Sequence, residues 1–458
     1  MMAAMLTLAL FQQAASPPPV APTPPDSVGR PCQVAIDTVG HYGRQVEVRP
    51  GETNLFAGGG VRGHCQGTTS TLAADSVAWY AGVGRFDMLG GVQIRDSTIA
   101  LDAQTAYYFL RQERLEAHKD VVATNRVTGT VLRGPNLTYY RVARGVRDTA
   151  EMYATTRPVI DYRATGDTGE PYVIVADRVR FKGNDRMWGA GSVTIDRSDF
   201  AARGDSMLLD EAAGIAVLVG HPEVDGKGPR SYRLVGTRIE FALQGHDVRR
   251  IKALGAAQAS SADWRLTADT IHMAVERQRL QQVFAWGDST RPKAVSSLRT
   301  IQADSLALDL PDEVLTTTRA FRHARSVSRR DTTAKADQDW MTGDTIVARW
   351  RPVSDSTGRQ VSKLDRLVAR GTARAFTHLR DEKDSTGASS INYSRGDVID
   401  VLLLGDKIDT VVVTGRADGL QLQPGPKVDS TKTDSTKHAD STKVAPAHKA
   451  PKRAARTP

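Results

Sequence analysis

The sequence predicts an all-β protein in which one strand–corner–strand unit is repeated many times. Two observations lead to this fold class. Apolar residues alternate with polar ones in short runs that Gly, Asp, Ser and Thr interrupt, as at residues 44–48 and 191–195. In addition, one eight-residue pattern returns along most of the chain, and such internal repetition is typical of an array of similar structural units.

The two ends of the 458-residue chain differ in composition from its body. Residues 1–16 open with the apolar run MMAAMLTLALF, so we expect a secretion signal peptide there; the alternative is a disordered apolar N-terminus. Residues 17–31 are Pro-rich and predict an extended linker. Residues 421–458 repeat the motif DSTK before a stretch of Ala, Pro, Lys and Arg, which predicts a disordered basic tail.

The positive charge of the chain is concentrated in this tail. The formal net charge is +9, and residues 421–458 carry eight basic and three acidic residues, which is more than half of the excess. The body is close to neutral, so the charge does not indicate a nucleic-acid partner. We expect either peripheral contact of the tail with an anionic membrane surface or a purely solubilising role. No apolar run is long enough to predict a transmembrane helix.

The repeated pattern reads apolar, any residue, Ala or Gly, Asp, any residue, apolar, any residue, apolar. Its clearest copies begin at Leu72, Ile174, Leu266 and Ile301. The Asp of the pattern is predicted to be a structural corner at Asp75, Asp177, Asp205, Asp269, Asp304, Asp344 and Asp397. Pro135 and Thr237 replace it in two copies, and weak copies lie at 99–106, where Asp102 takes the position, and at 394–401.

The pattern has a direct physical interpretation. Side chains alternate between the two faces of a strand, so residues an even number of positions apart lie on the same face. In the repeated pattern, the apolar residues before the Asp and those after it are an odd number of positions apart. They can therefore face one interior only if the chain bends between them. A small residue relieves crowding in such a bend, and the Asp carboxylate can accept backbone N–H groups that the bend exposes. Gly-led alternating strands, as at 90–94 and 371–375, lie between the corners. We therefore expect a long stack of bent strands.

These residues resemble the OstA/LptA-like family of lipopolysaccharide-transport domains, which shares the Ala-Asp corner and the Gly-led strands. The resemblance covers roughly residues 32–420, which we divide into a first segment, 32–165, and a continuing second segment, 166–420. It implies an elongated, open β-jellyroll: a V of stacked antiparallel strands with an apolar groove. It also implies a periplasmic or cell-envelope protein for outer-membrane biogenesis that holds lipopolysaccharide or another envelope lipid. Partners would be other jellyroll transport proteins or further copies of itself, joined edge to edge.

The apolar residues that follow each corner are the candidates for lining this groove. They are Val77, Trp79, Leu137, Tyr139, Val179, Phe181, Met207, Leu209, Ile239, Phe241, Ile271, Met273, Leu306, Leu308, Ile346, Ile399 and Val401. The alternative is that they form the ordinary core of a closed sandwich or solenoid, because inward apolar residues mostly pack on one another. Exposure separates the two hypotheses, since a groove leaves an apolar strip open to its ligand.

The remaining chemistry of the sequence indicates a protein that is not an enzyme. Cys32 and Cys65 fit one disulfide in an oxidising compartment, the alternative being two separate buried thiols. The ten His residues form no local metal-binding pattern, and we expect no metal, cofactor or catalytic residues. Two other hypotheses remain open: a structural β-solenoid scaffold of the envelope without a ligand, and a β-helix enzyme that acts on a polysaccharide through one of the repeated Asp residues.

Overall fold

The computed structural model describes residues 32–228, 230–245, 247–328, 338–354, 360–379, 390–405 and 407–423. Within these ranges the chain forms β-strands and two short 3-10 helices but no α-helix, so the predicted all-β class is confirmed. The predicted signal peptide, the predicted linker and residues 424–458 of the predicted tail lie outside the described residues. Residues 421 and 422 belong to the last strand, not to a disordered tail as the composition predicted.

The strands follow one another closely along the chain. In the first part they are β1 (Val34–Val39), β2 (Tyr42–Arg49), β3 (Glu52–Cys65), β4 (Thr71–Tyr80), β5 (Arg85–Arg95), β6 (Ile99–Phe109), β7 (Arg114–Asn125), β8 (Val131–Tyr140), β9 (Glu151–Thr155) and β10 (Val159–Tyr162). The middle part holds β11 (Tyr172–Val175), β12 (Arg178–Lys182), β13 (Arg186–Asp196), β14 (Phe200–Asp210), β15 (Ile215–Val219), β16 (Glu223–Gly226), β17 (Tyr232–Val235), β18 (Arg238–Gln244), β19 (Asp247–Ser261) and β20 (Trp264–Glu276). The last part holds β21 (Arg279–Trp286), β22 (Lys293–Ser296), β23 (Arg299–Gln302), β24 (Ser305–Asp309), β25 (Thr317–Ser328), β26 (Trp340–Ser354), β27 (Gln360–Leu379), β28 (Ser390–Leu404), β29 (Lys407–Thr414) and β30 (Asp418–Leu422). The 3-10 helices are Leu110–Gln112 and Pro311–Glu313.

The strands stack on one another as bent layers, which we call rungs; a rung is either one long strand or two short consecutive strands. Fourteen long strands each form one rung, and eight further rungs consist of two short consecutive strands, such as β9 with β10 and β15 with β16, which gives 22 rungs in the described part of the chain. Each internal rung pairs antiparallel with the rung before it and the rung after it. Because every rung bends once, the stack has two halves, which we call sheet A (with β1, β10, β16 and β30) and sheet B (with β2, β9, β15 and β29).

Strand β20 illustrates how the sequence produces a rung. Trp264, Leu266 and Ala268 are buried on the sheet A half, and Ile271 and Met273 are buried on the sheet B half. The change from even to odd positions occurs at the Ala268-Asp269 step of the repeated pattern. The apolar side chains of both halves therefore point into one interior between the sheets, and water contacts the other face.

The bends lie in register along the stack and form a seam. On alternate rungs one residue occupies the bend: Asp75, Gln104, Pro135, Asp177, Asp205, Thr237, Asp269, Asp304, Asp344 and Asp397. In most of the rungs between, two residues with positive φ face that single residue, as in a β-bulge. Gly191-Ser192 lies opposite Asp177 in this way, and the N–H of Asp177 donates to the carbonyl oxygen of Gly191 at 2.9 Å.

One corner differs from the sequence-based assignment. In the weak copy at 99–106 the register shift places the bend at Gln104, two residues after Asp102. Ala103-Gln104 takes the place that Ala74-Asp75 has in β4, and Asp102 points to the outer face, where it pairs with Arg95. The feature that all the bends share is a small residue before the bend position, and an Asp at that position is not required.

The sheet continues across the expected division between residues 165 and 166. Strand β10 pairs with β11, and β9 pairs with β12, so the rung before this point is hydrogen-bonded along both halves to the rung after it. The buried side chains likewise form one cluster from Cys32 to Val401. The interior is thus continuous over the whole described stack.

Candidate functional site

The seventeen residues predicted to line a groove all lie on sheet B, on the half-rung that follows a corner. Fifteen of them are buried: Val77, Leu137, Tyr139, Val179, Met207, Leu209, Ile239, Phe241, Ile271, Met273, Leu306, Leu308, Ile346, Ile399 and Val401. Trp79 and Phe181 are partly buried and pack against the same core. No open apolar strip lies over these positions, so in this structure they are packed as core.

The opposite wall of the interior comes from sheet A, and none of the seventeen predicted groove residues lies on it. Its buried residues include Leu72, Ile174, Leu234, Leu266 and Ile301. These are the apolar residues that open the repeated pattern, two positions before the small residue. The signal was therefore present in the pattern, and the parity switch itself implies that residues on both sides of the corner face one interior.

Among the described residues, three cavities lie where the two sheets are not in full contact. The central cavity has a volume of about 60 Å³ and is lined by Met207, Leu209 and Phe241 of sheet B and by Ile174 and Ile195 of sheet A. Its lining is almost entirely apolar, and its volume is well below the roughly 300–1,000 Å³ of small-molecule sites, so the two sheets must move apart before a ligand can enter.

Two smaller cavities lie on either side of the central one along the chain. The cavity near the N-terminal end has a volume of about 50 Å³, and Phe86, Met88 and Tyr139 form part of its lining. The third has a volume of about 20 Å³ and lies next to Tyr232 and Phe241. All three are lined by residues of both sheets, so any ligand inside would contact sheet A and sheet B together.

Polar groups close these cavities at the mouth, by which we mean the side of the sandwich away from the seam, where loops join successive rungs. At the central cavity Glu211 accepts two hydrogen bonds from sheet A. The Tyr162 hydroxyl donates to its Oε2 at 2.8 Å, and the Thr165 N–H donates to its Oε1 at 2.9 Å. A loop of sheet B is thereby bonded directly across the mouth.

The N-terminal cavity is closed in a similar way. Glu113, which is buried, accepts from the Tyr108 hydroxyl at 2.6 Å and from the Cys32 N–H at 3.1 Å. Arg141 lies 3.6 Å from the same carboxylate and adds an ion pair. At the third cavity the buried Glu313 accepts from the Arg230 N–H at 3.4 Å.

The tyrosines at these rims are held in their protonated form. Burial raises the pKa of Tyr108 and of Tyr162 above the usual value, and the hydrogen bonds to Glu113 and Glu211 raise it further. A hydroxyl with a raised pKa stays protonated in neutral solution and therefore remains a hydrogen-bond donor to its carboxylate.

The corner Asp residues interact with the neighbouring rung. Asp269 accepts from the N–H groups of Ser289 and Thr290 at 2.8 and 3.0 Å, and these bonds hold its pKa below the usual range. Asp304 bonds to the His323 ring at 2.8 Å and Asp397 to Arg416. Each of these three corner Asp residues thus has its own local partner on the outer surface. Among the described residues, no group of three or more His, Cys, Asp or Glu side chains is placed to hold a metal ion.

Cys32 and Cys65 are joined by a disulfide, with their Cα atoms 5.1 Å apart. Cys32 precedes β1, and Cys65 ends β3, the strand with which β1 pairs. The bond therefore ties the first rung to the second at the end of the stack. Both cysteines are buried and contribute to the lining of the N-terminal cavity.

No protein-family model matches the chain, and no curated protein matches its sequence. In the ranges that the structure describes, none of the helices has the length and apolar character needed to span a membrane.

Proposed function

We propose that this protein holds acyl chains of lipopolysaccharide, or of a related envelope lipid, between its two sheets during transport across the periplasm, without catalysing a reaction. The observation that carries the proposal is the interior itself: one apolar layer that is continuous over 22 described rungs and contains two cavities with almost entirely apolar linings. A lipid with several chains needs a long apolar surface in water, and a stack of bent strands can supply it. The sequence resemblance to OstA/LptA-like domains supports the same proposal.

The disulfide supports the proposed location. Disulfides form and persist in oxidising compartments such as the bacterial periplasm and are rare in the cytosol. The Cys32–Cys65 bond lies at the first rung, where it limits fraying of an exposed edge. Both features suit a protein that works in the cell envelope beyond the inner membrane.

A second candidate function is a structural envelope scaffold whose interior takes no ligand. The burial of fifteen of the seventeen predicted groove residues favours it, because a sandwich that is already filled by its own side chains has no free apolar strip. The two functions differ in whether a lipid ever enters the interior, and photocrosslinking can decide between them.

For this test a photoreactive phenylalanine analogue replaces Phe181 or Phe241, both of which face the interior, and lipopolysaccharide is added before irradiation. The matched control is Phe284, which lies on the outer face of sheet B and is 40% exposed. Lipid transport predicts adducts at Phe181 and Phe241 but not at Phe284. A scaffold predicts no adduct at either interior position, and equal labelling of all three sites would also contradict the transport proposal.

A further inference from the structure

The structure restricts how any molecule can reach the interior. The two sheets are joined by the chain itself at the bend of each long rung, so they cannot separate along the seam. The hydrogen-bonded ladders run from rung to rung within each sheet and do not cross the mouth. Opening at the mouth therefore breaks contacts between the sheets but leaves the backbone pairing of every rung intact.

Three carboxylates bridge this mouth from loops of sheet B. Glu113 follows β6 and bonds to the N–H of Cys32, Glu211 follows β14 and bonds to Tyr162 and Thr165, and Glu313 follows β24 and bonds to the N–H of Arg230. Of the partners across the mouth, Tyr162 is the last residue of the sheet A strand β10, and the others lie in segments that flank strands of sheet A. The separations along the chain are 81, 49, 46 and 83 residues, so these are tertiary contacts and not features of a local turn.

Each carboxylate lies at a different cavity. Glu211 lines the central cavity and Glu313 the third one. Glu113 bonds to Cys32 and Tyr108, which both line the N-terminal cavity. The three loops follow the fifth, eleventh and seventeenth rungs, an even interval of six rungs. At a strand spacing of roughly 4.8 Å, this interval corresponds to about 29 Å along the stack.

We propose that Glu113, Glu211 and Glu313 are clasps of a lateral gate, and that release of one clasp opens the mouth locally and admits an acyl chain to the cavity behind it. This inference rests on the proposed function for its ligand, a linear acyl chain. It explains how a lipid enters an interior that is buried in the closed state: the chain replaces contacts between the sheets while the rungs stay paired. Opening in segments exposes only part of the apolar interior to water at a time.

The gate can be tested without any lipid. Leu209→Cys places a thiol in the lining of the central cavity, where the native residue is 6% exposed, and its rate of alkylation by a maleimide reports opening. The two native cysteines are joined to each other and do not react. Glu211→Ala should raise this rate by about tenfold or more, the factor expected for loss of a hydrogen bond to a charged group.

Three further variants make the test specific. Tyr162→Phe removes one of the two bonds and Glu211→Gln keeps an acceptor, so both should give intermediate rates. Glu151→Ala is the control: Glu151 also accepts from a tyrosine hydroxyl, Tyr153 at 2.6 Å, but both residues lie in β9 and do not bridge the mouth. It should leave the alkylation rate unchanged. An equal rate in Glu211→Ala and in Glu151→Ala, which keeps the Glu211 contacts, would overturn the gate.

Uptake of a fluorescent polyene fatty acid by the same variants tests the ligand separately. Faster uptake by Glu211→Ala than by the protein with all clasps supports both the gate and acyl-chain binding. Faster alkylation without any uptake keeps the gate and refutes the proposed lipid function. Uptake at the same rate in every variant shows that chains enter by another route and overturns the gate.

Discussion

The contact between a corner Asp and the glycine opposite it leads to a quantitative prediction. Gly191 has φ of +80°, and a Cβ atom added to it would lie 2.3 Å from Oδ2 and 2.8 Å from Cβ of Asp177. Gly191→Ala therefore combines a left-handed backbone, which costs an L-residue about 1–2 kcal/mol, with overpacking, which costs about 1–3 kcal/mol. We expect a loss of about 2–5 kcal/mol in the free energy of unfolding.

Gly145 provides a matched control for the backbone contribution. Its φ of +76° is nearly the same, but no atom lies within 4 Å of the added Cβ. Gly145→Ala should therefore cost only about 1–2 kcal/mol. The difference between the two variants, measured as the shift in the guanidinium midpoint at constant slope, isolates the contact with Asp177. Asp177→Gly in the Gly191→Ala background removes the clashing side chain and should recover part of this difference.

Equal destabilisation by Gly191→Ala and Gly145→Ala would refute the reasoning. It would mean that the Asp177 side chain moves aside at no cost and that the seam is not tightly packed. A change in slope would indicate instead that the number of rungs unfolding together had changed, as in other repeat arrays.

Three other predictions concern the edges and the corners. Replacing Cys32 and Cys65 by Ser should destabilise the first rung by about 4 kcal/mol on the chain-entropy model. The loss should be measurable as earlier proteolytic cleavage near β1. Unchanged cleavage would show that strand pairing alone holds this edge. Because the pKa of Asp269 is depressed, its carboxylate stabilises the fold above the unfolded pKa of about 3.9, and this stabilisation is lost as the pH falls through the folded pKa. Asp269→Asn should therefore flatten the dependence of the melting temperature on pH below about 4, and an unaltered profile would contradict this account. Within the described residues, β2 and β30 each have one free edge and several exposed apolar side chains. We therefore expect molecules to associate head to tail, which would make the sedimentation coefficient depend on protein concentration. A monomer at all concentrations would count against this prediction.

Much of the fold follows from local patterns in the sequence. The parity switch at Ala268-Asp269 and its counterparts indicates where each rung bends, because side-chain alternation is a property of the strand itself. The Gly-led strands likewise mark bulges, such as Gly191-Ser192, that require positive φ. Bulges without glycine escaped this reasoning: Thr156-Arg157 and Arg322-His323 adopt the same positive φ values, but nothing in their residue types indicates them.

Less of the candidate site than of the fold could be predicted from the sequence. The repeated pattern includes residues of both walls of the interior. The predicted groove residues are only those after the corner, so the prediction omits the wall that sheet A forms. The clasps gave no local signal at all, since Glu113, Glu211 and Glu313 lie in loops of unlike sequence. Their role depends on partners such as Cys32 and Thr165, which the stacking of rungs brings to the mouth.

The sequence by itself determined that this protein is a stack of bent strands with one apolar interior, because strand periodicity and bend chemistry act over a few neighbouring residues. Only the tertiary structure decided that the two sheets pack against each other, that three cavities remain between them, and that carboxylates close the mouth. These features depend on contacts between residues some 50 to 80 positions apart. An alternating pattern specifies which face of a strand is apolar, but not how closely the opposite sheet approaches it.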